Sequence, residues 1–108
     1  MTIANTILEQ LGGNKFIAMT GAKHLLGLEN GIRMTIGKNV SKANKLEIIL
    51  NADDTYTMRF YKYTAPRLNK KTFEFTDEKV QEIRTIENVY WDMLQDLFTK
   101  TTGMYTHL

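Results

Sequence analysis

The chain has 108 residues, 43% hydrophobic and 24% charged, with one proline and no cysteine. These proportions describe a soluble globular protein of one domain, residues 1–108, long enough to bury a core without disulfides or metal. They exclude a disulfide framework, a thiolate nucleophile and a cysteine metal site, and no apolar run is long enough to span a membrane.

The formal charge of +2 is unevenly placed. Ile32 to Lys71 holds nine Lys/Arg against three Asp/Glu, Thr72 to Leu108 holds three against seven, and Met1 to Gly31 is neutral. A basic middle and an acidic end point to surfaces for partners more than to a pocket for chemistry.

Along the chain, Ile3, Ile7, Leu8 and Leu11 fall on one face of a short helix over residues 2–11, which Gly12-Gly13 stops. This segment carries Glu9 and lacks a basic n-region, so a signal peptide is not expected. Lys15 to Met19 has strand character, and Thr20-Gly21-Ala22 reads as a turn. Leu25–Glu29 and Ile32–Ile36 flank Asn30-Gly31, a strong hairpin signal because both residues tolerate positive φ. Gly37 to Asn44 is a polar, basic loop.

The clearest hairpin follows. Leu46, Ile48 and Leu50 alternate with Glu47 and Ile49, and Asn51 to Thr55 supplies turn residues. Tyr56, Met58 and Phe60 then line one face, with Thr57, Arg59 and Tyr61 on the other. Pro66 opens a basic loop, and Thr72 to Thr76 alternates like a strand. Lys79 to Glu87 fits a helix by spacing, but its β-branched residues favour a strand. Asn88 is the expected N-cap of a last helix to about Thr101. Tyr90, Met93, Leu94, Leu97 and Phe98 form its predicted buried stripe, and Gly103 its C′ residue. The fold class is therefore α+β: a mostly antiparallel sheet of five or six strands with an N-terminal and a C-terminal helix on one face.

No catalytic constellation emerges. Thr20-Gly21-Ala22-Lys23 lacks the glycine spacing and the Ser/Thr of a phosphate loop. His24 and His107 stand without an orienting carboxylate motif, and two histidines are too few for a metal site. Asp53-Asp54 with Asn51 fits a turn better than a cation loop. Neither cofactor nor metal is expected, nor is an enzyme.

The basic centre with interleaved aromatics carries more. Arg59, Tyr61 and Tyr63 share a strand face, Lys62 sits opposite, and Arg67, Lys70 and Lys71 follow. Aromatics can stack bases while cations hold phosphates, so these seven residues are the candidate contact set for nucleic acid or another partner. Glu74, Asp77, Glu78, Glu82, Glu87, Asp92 and Asp96 make the other end acidic. That end suits a basic partner, the basic region of a second copy, or simply solvent.

Leu11-Gly12-Gly13-Asn14-Lys15-Phe16-Ile17-Ala18-Met19-Thr20-Gly21-Ala22-Lys23 resembles the opening of a family of small proteins from bacteriophages, prophages and other mobile elements. Asp54-Thr55-Tyr56, Val89-Tyr90-Trp91-Asp92-Met93-Leu94, Phe98 and Thr102-Gly103-Met104-Tyr105 fit the same pattern, while Pro66 to Lys79 is longer and more charged than it. The resemblance implies a phage or mobile element acting in bacterial cytoplasm, and assigns no activity and no functional residue. The resulting expectation is a non-enzymatic accessory protein that binds a host or phage protein, for example to inhibit a defence complex such as a CRISPR effector. A small nucleic-acid-binding module using the basic aromatic strand is the alternative. A homo-oligomer is compatible with both, and no membrane role is expected.

Overall fold

The computed structural model describes residues 3–106. Helix α1, Ile3–Leu11, buries Ala4, Ile7 and Leu11 at helical spacing. Gly12 and Gly13, both at positive φ, turn the chain directly into a second helix, α2, Asn14–Thr20. The strand expected over Lys15–Met19 is therefore corrected to a helix. Phe16 and Thr20, four residues apart, are its buried positions, and the Thr20 hydroxyl donates to the Phe16 carbonyl at 2.7 Å. Gly21 closes it at φ 68°, where a glycine costs nothing.

Five strands then form an antiparallel sheet in the order β1-β2-β3-β4-β7. They are β1 (Lys23–Leu28), β2 (Gly31–Thr35), β3 (Lys45–Leu50), β4 (Tyr56–Thr64) and β7 (Lys79–Val89). Two short strands between β4 and β7, β5 (Leu68–Asn69) and β6 (Glu74–Phe75), pair only with each other. The strand expected over Thr72–Thr76 shrinks to β6, and the strand reading of Lys79–Glu87 holds as β7. The expected α+β class stands, with one more helix than the sequence suggested.

The first hairpin forms for a different reason from the one expected. Leu28 pairs with Gly31, so its turn residues are Glu29 and Asn30. Neither Asn30 nor Gly31 is at positive φ among the residues that are. Gly31 is instead the first residue of β2, and a Cβ there would lie 2.1 Å from the Ile48 carbonyl oxygen. The backbones approach too closely for a side chain.

Helices α1, α2 and α3 (Leu94–Thr102) cover one sheet face. Beneath them lie Ile32 and Met34 of β2, Leu46 and Ile48 of β3, Tyr56, Met58 and Phe60 of β4, and Val89. The Phe98 ring of α3 sits edge-on to Phe16 at 5.0 Å and tilted over Phe60 at 6.2 Å. Gly103 ends α3 at φ 75°, as expected.

The start of that helix is corrected. Asn88 is not an N-cap; it lies within β7's extended run at φ 57°, where the register against β4 shifts. A 3-10 turn, Trp91–Met93, precedes α3, with Tyr90 as its cap. This turn rotates the phase of the stripe. Leu94 and Phe98 are buried and Leu97 partly so, while Tyr90 and Met93 are exposed.

Strands β4 and β7 run on past the last covering helix residue. Together with the β5–β6 hairpin they form an arm in which residues 65–82 are all exposed. The molecule is accordingly elongated, 50 × 32 × 24 Å.

Candidate binding surfaces

The open sheet face is a ladder of alternating charge. Register places Arg33 beside Glu47 and Glu47 beside Arg59. The Arg33 Nε donates to Glu47 at 3.2 Å, and the Arg59 Nε donates to Glu82. Arg59 also lies 4.3 Å from the Tyr61 ring centroid, a cation–π distance. Tyr61 is 6% exposed, and burial pushes its phenol pKa up. A surface that neutralises itself in this way attracts phosphate weakly. Its aromatic is covered by a guanidinium rather than free to stack a base.

The seven predicted contact residues are therefore not brought together. Arg59 and Tyr61 are engaged with each other on the open face. Tyr63 donates from its hydroxyl to Glu78 at 2.8 Å, a bond that raises the phenol's pKa. The Lys45 ammonium stands 6.0 Å from the Tyr63 ring. Lys62 projects from the opposite face, exposed, across from Gln81. Arg67, Lys70 and Lys71 sit on the arm, exposed, and join no ion pair among the described residues.

What the charge pattern did not reveal is the arm's apolar surface. Leu68 and Phe75 are paired across the β5–β6 hairpin and so share one face. They are 47% and 71% exposed, and Phe73 is 79% exposed. Phe73 is at φ 58°, an outlier for a bulky side chain, and its N–H donates to the Asn69 carbonyl at 2.7 Å. The alternation of Phe73 and Phe75 with Glu74 was visible in the sequence. Whether that pair meets a helix was not.

The other candidates resolve into structural roles. Asp53 accepts from the Thr55 hydroxyl at 2.6 Å and the Thr55 N–H at 3.2 Å, which closes the β3–β4 turn. Those bonds hold its carboxyl below the ordinary range. His24 is exposed in β1 at φ 53°, and His107 lies outside the described residues. No group of three or more His, Asp or Glu that could hold a metal occurs among the described residues. A cleft of about 510 Å³ between α1 and the start of α3 is lined by Glu9, Gln10, Trp91, Asp92, Gln95 and Asp96. Its floor is braced by Tyr56, whose hydroxyl donates to Gln10, and by Gln95, which donates to the Gln10 carbonyl. Among the described residues no helix is long and apolar enough to cross a membrane. Comparisons with protein-family models, with curated proteins and with solved structures found no match to this chain.

Proposed function

We propose that the chain is a non-enzymatic accessory protein of a phage or mobile element. It acts in bacterial cytoplasm by binding a host or phage protein, a defence complex such as a CRISPR effector being one form of target. The observation that carries this reading is the arm: two phenylalanines and a leucine held in water on a hairpin that contributes nothing to the core. Large aromatic side chains left exposed are the anchors that protein interfaces bury. Arg67, Lys70 and Lys71 lie there together with Glu74, Asp77 and Glu78, so a partner surface of mixed charge would suit the arm. The alternative, a nucleic-acid module reading bases from the β4 face, draws less support, because Arg59 and Tyr61 there are already engaged.

The test is affinity capture of tagged protein from phage-infected bacteria, treated with nuclease. A discrete protein should co-purify with the wild type and be lost with Phe73→Ala combined with Phe75→Ala. Each truncation of an interface anchor should cost about 2 kcal/mol or more of binding. A partner held equally well by the double variant overturns the role given to the arm.

A further inference from the structure

The loop between β2 and β3 is stiff for its length. Asn39 Nδ2 donates to the carbonyls of Gly37 and Ala43, each at 2.8 Å, while its Oδ1 accepts from the Ser41 N–H and hydroxyl. Asn44 ties the loop to β4: its Nδ2 donates to the Tyr63 carbonyl at 2.9 Å, and its Oδ1 accepts from the Tyr63 N–H at 2.8 Å. Val40 N–H donates to the Thr102 carbonyl. Lysines on such a loop are presented from a fixed backbone. Lys42 is held at φ 67°, a left-handed conformation that lysine rarely adopts.

Beside this loop lies a cleft of about 480 Å³ lined by Lys38, Lys42 and Lys62, together with Asn39 and Asn44. Lys62 is also in the wall of a second cleft, of about 520 Å³, with Thr64, Lys79 and Gln81. The two clefts thus meet at Lys62, on the helix side of the sheet, where β4 and β7 emerge from under the core. Among the described residues no carboxylate lines either one. None of the four lysines belongs to an ion pair among the described residues, whereas Arg33 and Arg59 on the opposite face are both paired. Of the cations read from the sequence as one contact set, Lys62 belongs to a different surface, made with lysines from the loop and from β7.

The geometry points to these two adjoining lysine clefts as a binding surface for the sugar-phosphate backbone of nucleic acid. Four ammonium groups supply charge, and Thr64 and Gln81 supply neutral donors, the side-chain types that contact phosphates. Stacking aromatics are not part of the clefts, so backbone positioning rather than base reading is their chemistry. This surface is separate from the arm's apolar face and does not rest on the protein-binding reading.

The probe is fluorescence anisotropy with labelled oligonucleotides of one sequence, as single strand and as duplex, in DNA and RNA forms. The wild type should bind at low salt, with log affinity falling linearly against log salt. Lys42→Glu combined with Lys62→Glu should weaken binding about ten-fold or more and flatten the salt slope by about 2, about 1 per lost phosphate contact. Lys42→Arg with Lys62→Arg should retain binding. Phe73→Ala with Phe75→Ala should also retain it, so loss of a protein partner and loss of oligonucleotide are separately readable. Circular dichroism melts should confirm that each variant is folded. The inference is overturned if the wild type binds no oligonucleotide at low salt. It is equally overturned if Lys70→Glu with Lys71→Glu on the arm weakens binding as much as the cleft pair, or if polyglutamate competes as well as unlabelled oligonucleotide does.

Discussion

The two halves of β4 follow one alternation and meet opposite surroundings. Tyr56, Met58 and Phe60 point under the helices and are 5%, 0% and 0% exposed. Two residues on, the same side of the strand carries Lys62, exposed. Strand β7 changes in step: Ile86 lies opposite Met58, Arg84 opposite Phe60 and Gln81 opposite Lys62. The alternating position turns polar where helical cover ends, so the sheet's overhang is written into the sequence rather than being a frayed edge. The apolar residues of the arm reappear beyond that polar break, out of reach of the core. Long edge strands are normally protected by charge and bulges, and β7 has both, with Glu82, Arg84 and Glu87 and two register shifts. Phe73 and Phe75 stay exposed even though Lys70, Lys71 and Glu74 lie next to them.

The sharpest way to break this comparison is to truncate one phenylalanine from each region. Phe60→Ala removes a fully buried ring that touches Phe98, and should cost about 3–5 kcal/mol. Phe75→Ala removes an exposed one and should change stability by less than about 0.5 kcal/mol. Urea unfolding of both variants decides it. A cost for Phe75→Ala approaching that of Phe60→Ala would mean that the arm folds back as part of the core.

A smaller contrast lies within the first hairpin. Gly31→Ala would drive a methyl into the Ile48 carbonyl and should cost about 1–3 kcal/mol, since two paired backbones must separate. At Gly27 a Cβ would meet only the Ala4 methyl, at 3.5 Å and without positive φ. Gly27→Ala should be neutral or stabilise by up to about 1 kcal/mol, through loss of unfolded-chain freedom. Thermal melts that rank the pair the other way would place the tight approach elsewhere.

These glycines also show what was legible. Two-residue alternation identified the β3–β4 hairpin and its buried face, because one covered side imposes it directly. Other features were ambiguous because one residue type serves several geometries. Gly31 announced a hairpin through its turn propensity but is required by close packing. Asn88 tolerates positive φ, which suits a helix boundary and a strand irregularity alike. Ile17 and Thr20 are β-formers, yet their segment lies between glycines that isolate about two helical turns, where Phe16 can reach Phe98. The binding surfaces were the least legible. Alternation already put Arg59 and Lys62 on opposite faces, yet charge counting kept them in one contact set. Only cross-strand register shows that one has a carboxylate partner and the other has lysine neighbours.

The smallest effect expected concerns the turn that closes the packed half. Asp53 is exposed, and its carboxylate accepts two bonds from Thr55. Those bonds stabilise the charged form and lower its folded-state pKa, the Thr55 hydroxyl contributing most. The unfolded chain, without them, binds the proton at higher pH. The stabilisation is therefore fully present above the ordinary carboxylate range, and is lost as pH falls through the folded-state value. Asp53→Asn removes this titration, so its melting temperature should fall less steeply than the wild type's as pH drops from about 5 through the folded-state value. The arm carries its own acidic residues but no such tightly bonded turn carboxylate, so an arm deletion replacing residues 66–77 by a short turn should leave the Asp53 contribution unchanged. Identical pH slopes for wild type and Asp53→Asn would show that the Thr55 bonds do not hold in solution. Loss of the difference only on deleting the arm would couple two regions that share strands but not a core.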